Sequence, residues 1–477
     1  MKLLRSIYEG PGSHGVLRAA SGTRGMRAVL RALPSEACFR ALFTSWDRSG
    51  ETPPVTLSPI LESREGNLSP GDLGRDISRL VNRHPDTETV ALIRSDTALL
   101  SEDRLVPEPL ENPETGRNVK LISFDEATPG MGEIFAADLA VEEMVRAHAR
   151  PMEKSQEPTV NLFGPPALNP QASAEYQEAE RLLELLGIRV NARVPLGGSA
   201  RELTRIPRAW ANLVLYREVG ESATLYLQDE FEMPRVTTPM IGAAGTGAVL
   251  RALGDLCGLE PNKVQRLVWG ELGTTSKLPW FSRLIPPELL RGRRVAIFGD
   301  FTYTLGLGYA LAREVGLEVM WAGTYLEHLE PDFLFNANSF TDDAFFTDDP
   351  EKVAARVEES EPDLLIGTIL EGGVAEALDL PFLQLCPPAA VQPFVQNPLM
   401  GYRGSSFLAD ALEPPLRRPA RPPEMVARGI PWTEEALEEL EEVPAFLRGR
   451  ARRLAEEHAR ETGAREITHE LFGRSRI

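Results

Sequence analysis

Arg294-Val295-Ala296-Ile297-Phe298, followed by Gly299-Asp300, a helical run over residues 304–315 and then Leu317-Glu318-Val319-Met320-Trp321, is the stretch on which the fold turns. A short apolar run, a glycine turn, an amphipathic run and a second apolar run spell strand, turn, helix, strand, the unit of a parallel sheet covered by helices. Downstream, Pro362-Asp363-Leu364-Leu365-Ile366-Gly367 adds a strand whose glycine leads to Gly372-Gly373 and a helix. Upstream, Thr159-Val160-Asn161-Leu162-Phe163 reads as a strand, residues 178–186 as a helix, and residues 188–192 and 213–216 as further strands. Gly187 stands where a left-handed residue ends that helix. Nearer the start, residues 2–8 read as a strand, Glu9-Gly10-Pro11-Gly12 as a turn and residues 16–20 as the start of a helix, with strands at residues 89–93 and 119–124 completing a first unit.

The chain has 477 residues, and at roughly 100–200 residues per domain that length asks for about three domains. A charged, proline-bracketed segment over residues 150–158 reads as a joint. The expected units are residues 1–155, 156–290 and 291–412, then a Pro- and Arg-rich tether over 413–430 and a helical module over 431–477. Within that module, residues 434–441 and 446–461 read as amphipathic helices joined at Val443-Pro444, and residues 467–472 as a third short helix. No short period recurs, which excludes a solenoid.

Composition narrows the function classes. With 42% hydrophobic and 25% charged residues the chain is an ordinary globular protein. A formal net charge of -19 repels phosphate backbones and argues against a nucleic-acid partner. No apolar run approaches the ~20 residues of a membrane-spanning helix and no signal-peptide pattern opens the sequence, so a cytoplasmic location is expected. Cys38, Cys257 and Cys386 are far apart and unpaired in sequence, so the chain by itself cannot supply a four-cysteine cluster. Its 6 histidines lack the H-E-x-x-H spacing of a zinc hydrolase. The glycine-rich dinucleotide fingerprint and the P-loop are both missing, although Gly299-Asp300 has the look of a nucleotide-binding turn.

Several strings, in order along nearly the whole chain, resemble the B subunit of the dark-operative, ATP-dependent protochlorophyllide oxidoreductases, a nitrogenase component 1-like family. They are Tyr8-Glu9-Gly10-Pro11 with Gly15 and Arg18, Ala149-Arg150-Pro151-Met152-Glu153, Asn161-Leu162-Phe163-Gly164-Pro165, Gly220-Glu221-Ser222-Ala223 and Leu278-Pro279-Trp280-Phe281-Ser282. Most distinctive is the tail, Ile430-Pro431-Trp432, then the run from Val443-Pro444-Ala445-Phe446 through Arg448, Arg450, Arg452 and Arg453, then Ile467-Thr468. The resemblance implies an α/β fold of three Rossmann-like domains with a small C-terminal helical module. It implies a heterotetramer with a homologous N-type subunit and docking of an ATP-hydrolysing iron-sulfur reductase homodimer. It also implies a [4Fe-4S] cluster shared between the two subunits and reduction of a tetrapyrrole double bond, protochlorophyllide to chlorophyllide, with ATP hydrolysed on the partner.

The site positions depart from the family. Where the resemblance places an aspartate ligand of the cluster, this chain has Glu36, with Cys38 two residues on as the alternative ligand. The structural alternatives are a solvated loop acid and a small buried thiol. Asp96-Thr97-Ala98 replaces a family Cys-Thr-Ala-like turn, putting a carboxylate near the cluster face or an N-cap on a helix. The family's proton-donating aspartate maps onto Pro286, which has no proton to give, and Glu288 is the nearest substitute or else an exposed acid at a helix start. Ala390 replaces a family histidine ahead of Val391-Gln392. The basic run either meets an anionic group or pairs with Glu456 and Glu457 one helical turn away. These departures leave room for a related reductase with another substrate, or for a scaffold subunit that kept the fold without the chemistry.

Overall fold

The computed structural model describes residues 7–33, 55–62, 68–70, 72–95, 97–98, 110–111, 116, 118–124, 131–167, 169, 171–387, 397–418, 430–443 and 445–475. Three sheets follow one another along the chain. The first contains β1 (Met26–Ala32), β2 (Val55–Glu62), β3 (Leu68–Pro70), β4 (Thr89–Arg94), β5 (Leu110–Glu111) and β6 (Asn118–Ser123), in the order β3-β2-β1-β4-β6-β5. Its four inner strands are parallel, and the short edge strands β3 and β5 run antiparallel to their neighbours.

The second sheet is wholly parallel, β10 (Arg235–Val236), β9 (Ala211–Val214), β7 (Thr159–Phe163) and β8 (Arg189–Val194) lying in that order. So is the third, in the order β13 (Ala344–Phe346), β12 (Glu318–Thr324), β11 (Arg294–Gly299), β14 (Leu364–Gly367), β15 (Phe382–Gln384). In each sheet the earliest long strand is internal and the chain winds outward to both sides, the doubly wound arrangement expected of Rossmann-like domains.

Local chemistry explains the elements. β11 and β14 are buried at every position, as strands covered by helices on both faces must be. The helix Ala172–Leu186 ends on Gly187 at φ 81°, the left-handed cap its sequence foretells. The helix Phe301–Ala310 begins before residue 304, because the Asp300 carboxylate accepts from the Tyr303 amide and caps it. At the front the structure corrects the expected strand over residues 2–8. Residues 2–6 lie outside the described residues, and Ile7 and Tyr8 belong to no sheet. Tyr8 instead packs into the third unit. The expected tether is also shortened, since the helix Gly401–Leu416 carries Pro414 and Pro415 in its last turn, where buried Leu412 and Leu416 anchor it.

One apolar core runs from Val160 to Leu416 and takes in Tyr8, so the second and third sheets share an interior. A second core joins the first sheet's helices Gly12–Ser21 and Glu133–His148 to the second unit. The C-terminal helices Glu434–Glu442, Ala445–Thr462 and His469–Ser475 close over their own small core of Ala436, Leu440, Ala455, Ala459, Ile467 and Phe472. Of the basic run, Arg452 lies 5.7 Å over the Trp432 ring and 3.7 Å from Glu456, the helical pairing foreseen as its structural role. The side chains of Arg448, Arg450 and Arg453 lie outside the described residues.

Candidate functional site

In doubly wound sheets the working residues gather at the carboxyl ends of the strands. Here the carboxyl ends of the second and third sheets are brought together, and polar side chains from both meet in the shared core. β9 runs out into Tyr216 and the helix Arg217–Phe231, which carries Glu218; β11 runs out into Asp300, Thr302 and Tyr303. Glu175 reaches the same place from the helix Ala172–Leu186. The Tyr303 hydroxyl is 2.6 Å from Glu175 Oε1, the Tyr216 hydroxyl bonds to Glu175 Oε2, and the two phenols are 2.9 Å apart. Alongside, Thr302 donates to Glu218, whose carboxyl group neighbours that of Asp300.

These acids sit where water does not reach. Burial pushes the Glu175 carboxyl up to about 8, against the lowering effect of the Tyr303 hydroxyl. Burial also raises Glu218, and raises Asp300 well above the usual carboxylate range, the Glu218 charge adding to the effect. Arg217, on the same turn, directs its guanidinium to Glu221 and Asp332 and only its backbone amide to Thr302. His328 bonds to the Glu218 backbone and is held at about 4 by burial, so near neutral pH it brings no charge.

The crevice at the switch point of the third sheet, beside β11, is filled from within the chain. Tyr8 lies 5.1 Å from the Phe298 ring and donates to Glu371, which itself completes a capping box with Thr368 after β14. A Cβ on Gly299 would overlap Cys386. Gly299-Asp300 is therefore a packed turn with a buried acid and not a phosphate cradle, which is why the glycine-rich fingerprint is absent. A cleft of about 360 Å³ opens between residues of the second and third units, and none of the buried acids lines it. Arg217, Thr237, Ile241, Phe301, Tyr309 and Phe340 are among its walls.

The site residues predicted from the sequence are not among these. Glu36, Cys38 and Asp96 fall outside the described residues, as does Ala390. Glu288 is exposed on the four-residue helix Pro287–Leu290, beside an exposed Pro286. Among the described residues no group of three or more His, Cys, Asp or Glu is placed to hold a metal ion. Cys257 and Cys386 are buried thiols, and burial pushes Cys257 up to about 11. Sequence reasoning does not find the acid cluster, although Glu175 carries a signal: it shares a helical face with Ala179, Leu182 and Leu186, where an apolar residue is the rule.

Comparison with known proteins defines the class. The model of the family described as nitrogenase component 1 type oxidoreductase matches residues 111–416, and that of the proto-chlorophyllide reductase 57 kD subunit matches residues 432–476. Nitrogenase Cp1, solved at pH 6.5, shares the fold with a TM-score of 0.67 at 18% identity, over 87% of this chain and 94% of that one. The B subunit of light-independent protochlorophyllide reductase from Heliobacterium modesticaldum is 30% identical over 99% of this chain and 97% of its own length. Its counterpart from Leptolyngbya boryana is 30% identical over 99% and 98%. The chain belongs to the family of light-independent protochlorophyllide reductase B subunits, within the nitrogenase component 1 type oxidoreductases. Among the described residues no helix is long and apolar enough to cross a membrane.

Proposed function

We propose that this chain is the B-type subunit of the catalytic component of an ATP-dependent iron-sulfur reductase that reduces a tetrapyrrole ring double bond, converting protochlorophyllide to chlorophyllide. The observation that carries the reading is similarity to curated B subunits over 99% of the chain, with the C-terminal module included in it. In this reading an N-type subunit completes a heterotetramer, and a reductase homodimer hydrolyses ATP and delivers electrons one at a time. A [4Fe-4S] cluster shared with the N-type subunit would supply single-electron transfer, with Glu36 or Cys38 as this chain's ligand and Asp96 near the same face. The three expected units, residues 1–155, 156–290 and 291–412, would frame the joint against which the macrocycle lies. Glu288 is the candidate proton donor in place of the missing aspartate.

The test is reconstitution. The chain co-purified with its N-type partner, given the iron-sulfur reductase protein, ATP and a reductant, should convert protochlorophyllide to chlorophyllide in the dark. Absence of turnover with a fully loaded complex would overturn the substrate assignment. A second reading, a related reductase acting on another substrate, is favoured by Pro286 at the family's proton-donor position. It predicts a cluster-loaded complex that hydrolyses ATP and leaves protochlorophyllide unchanged.

A further inference from the structure

We propose that protonation of the Glu175, Glu218 and Asp300 cluster latches the second sheet to the third, so that loss of its protons lets the joint between them open. Counting protons leads there. Glu175, Tyr216 and Tyr303 form a triangle with every edge in hydrogen-bonding contact. Three edges need three protons and the two phenols bring only two, so the third belongs to the Glu175 carboxyl group. Beside the triangle, burial and the neighbouring Glu218 charge favour the protonated form of Asp300.

Every one of these bonds joins the two sheets or braces a group that does. Glu175, Tyr216 and Glu218 belong to the second unit, while Asp300, Thr302 and Tyr303 belong to the third. The carboxyl groups lie near one another, which opposes their ionisation, and Asp300 is faced by the neutral Tyr325 phenol and Cys386 thiol. Arg217 is turned to Glu221 and Asp332, and His328 is neutral. From the main chain, the Leu399 amide serves Glu175 and the Tyr303 amide serves Asp300. Removing protons from the cluster therefore gathers negative charge in one dry interface, and separating the sheets to admit water relieves it.

Linkage sets the direction. Glu175 has an ordinary value of 4.5 when open to water and about 8 when buried, so the closed joint binds more protons than the open one across that window. Opening should become easier as pH rises through the window and level off above about 8.

Hydrogen-deuterium exchange on the full chain tests this. After correction for intrinsic rates, peptides spanning residues 214–223 and 299–306 should open at least about tenfold more readily at about pH 8.5 than at about pH 6. Peptides from residues 434–442 serve as the control and should not change. Glu175→Gln should remove most of the ratio at the joint, the remainder belonging to Glu218 and Asp300. Equal opening at both pH values, or a Glu175→Gln protein that keeps the full pH dependence, would overturn the latch. If that variant does not fold, infrared spectra of the wild type and of Asp138→Asn decide. A protonated carboxylic C=O component that survives in Asp138→Asn and is lost on titration through about pH 8 supports the proposal, and its absence overturns it.

Discussion

The ring of Tyr8 lies nearly parallel to that of Tyr325, 7° between planes and 5.1 Å between centroids, while its hydroxyl donates to Glu371 Oε1 at 2.7 Å. A residue near the start of the chain thereby becomes part of the third sheet's core, 363 positions from its hydrogen-bond partner. Tyr8→Ala removes the stack and leaves a cavity against Phe298, at a cost of about 3–5 kcal/mol. Tyr8→Phe keeps the ring and strips one bond from a carboxylate that Thr368 still serves, costing about 1–2 kcal/mol. Thermal unfolding of both variants should show the larger drop for Tyr8→Ala, and equal drops would mean that the ring packing contributes nothing.

Asp138 predicts a pH dependence at the other joint. Buried on the helix Glu133–His148, it accepts from the Ser222 amide and hydroxyl, tying the first unit to the second. Burial raises it from 3.8 to about 7, against the lowering effect of those bonds. Its stabilising contribution is therefore full below about pH 4 and is lost as pH rises through about 7. In Asp138→Asn the side chain has no charge to lose. Melting curves across pH should show the variant gaining on the wild type between about pH 4 and about pH 7; a constant difference would place the proton elsewhere.

Gly15 marks where two helices touch backbone to backbone. A Cβ there would overlap the Glu133 carbonyl oxygen, so the helices Gly12–Ser21 and Glu133–His148 can approach this closely only with glycine at the crossing. Nearby, Arg18 pairs with Glu133 and Glu133 accepts from the Gly10 amide, fixing the same crossing by charge. Gly15→Ala should cost about 1–3 kcal/mol or more, because main chain has to move. The fall should appear in thermal unfolding of the full chain, and an unchanged midpoint would show that the crossing tolerates a shift.

How far the sequence reveals this molecule depends on which interactions are local. The βα pattern around Arg294 and the Gly187 cap are set by neighbours in the chain, and both are legible. β1 is not, because Arg27 and Arg31 interrupt its apolar run. In the fold Arg31 is fully buried and donates to Ser58, which in turn donates to Asp76, so a charge sits inside a strand that hydropathy cannot recognise. The acid cluster is harder still. Glu175 meets Tyr303 across 128 positions, and no spacing rule connects a helix face in one unit with a strand end in another. Glu36, Cys38 and Asp96 rest on resemblance alone, which carries a position across but not its geometry.

The proposed cluster, if shared between two subunits, fixes where iron should be found. Cys38, Cys257 and Cys386 are the chain's cysteines, and the structure buries Cys257 and Cys386, so most thiolate ligands have to come from outside. Purified by itself, the chain should carry little iron and acquire it with its N-type partner. Substituting the single ligand from this chain should then remove or alter the cluster signal in low-temperature electron paramagnetic resonance. Glu36→Ala and Cys38→Ala separate the two possibilities: a carboxylate oxygen is a harder ligand than a thiolate and shifts the reduction potential, whereas a cysteine restores the usual four-sulfur set. Loss of signal in one variant names the ligand. Full iron loading of the isolated chain would refute a shared cluster, because no single-chain set of four thiolates exists here.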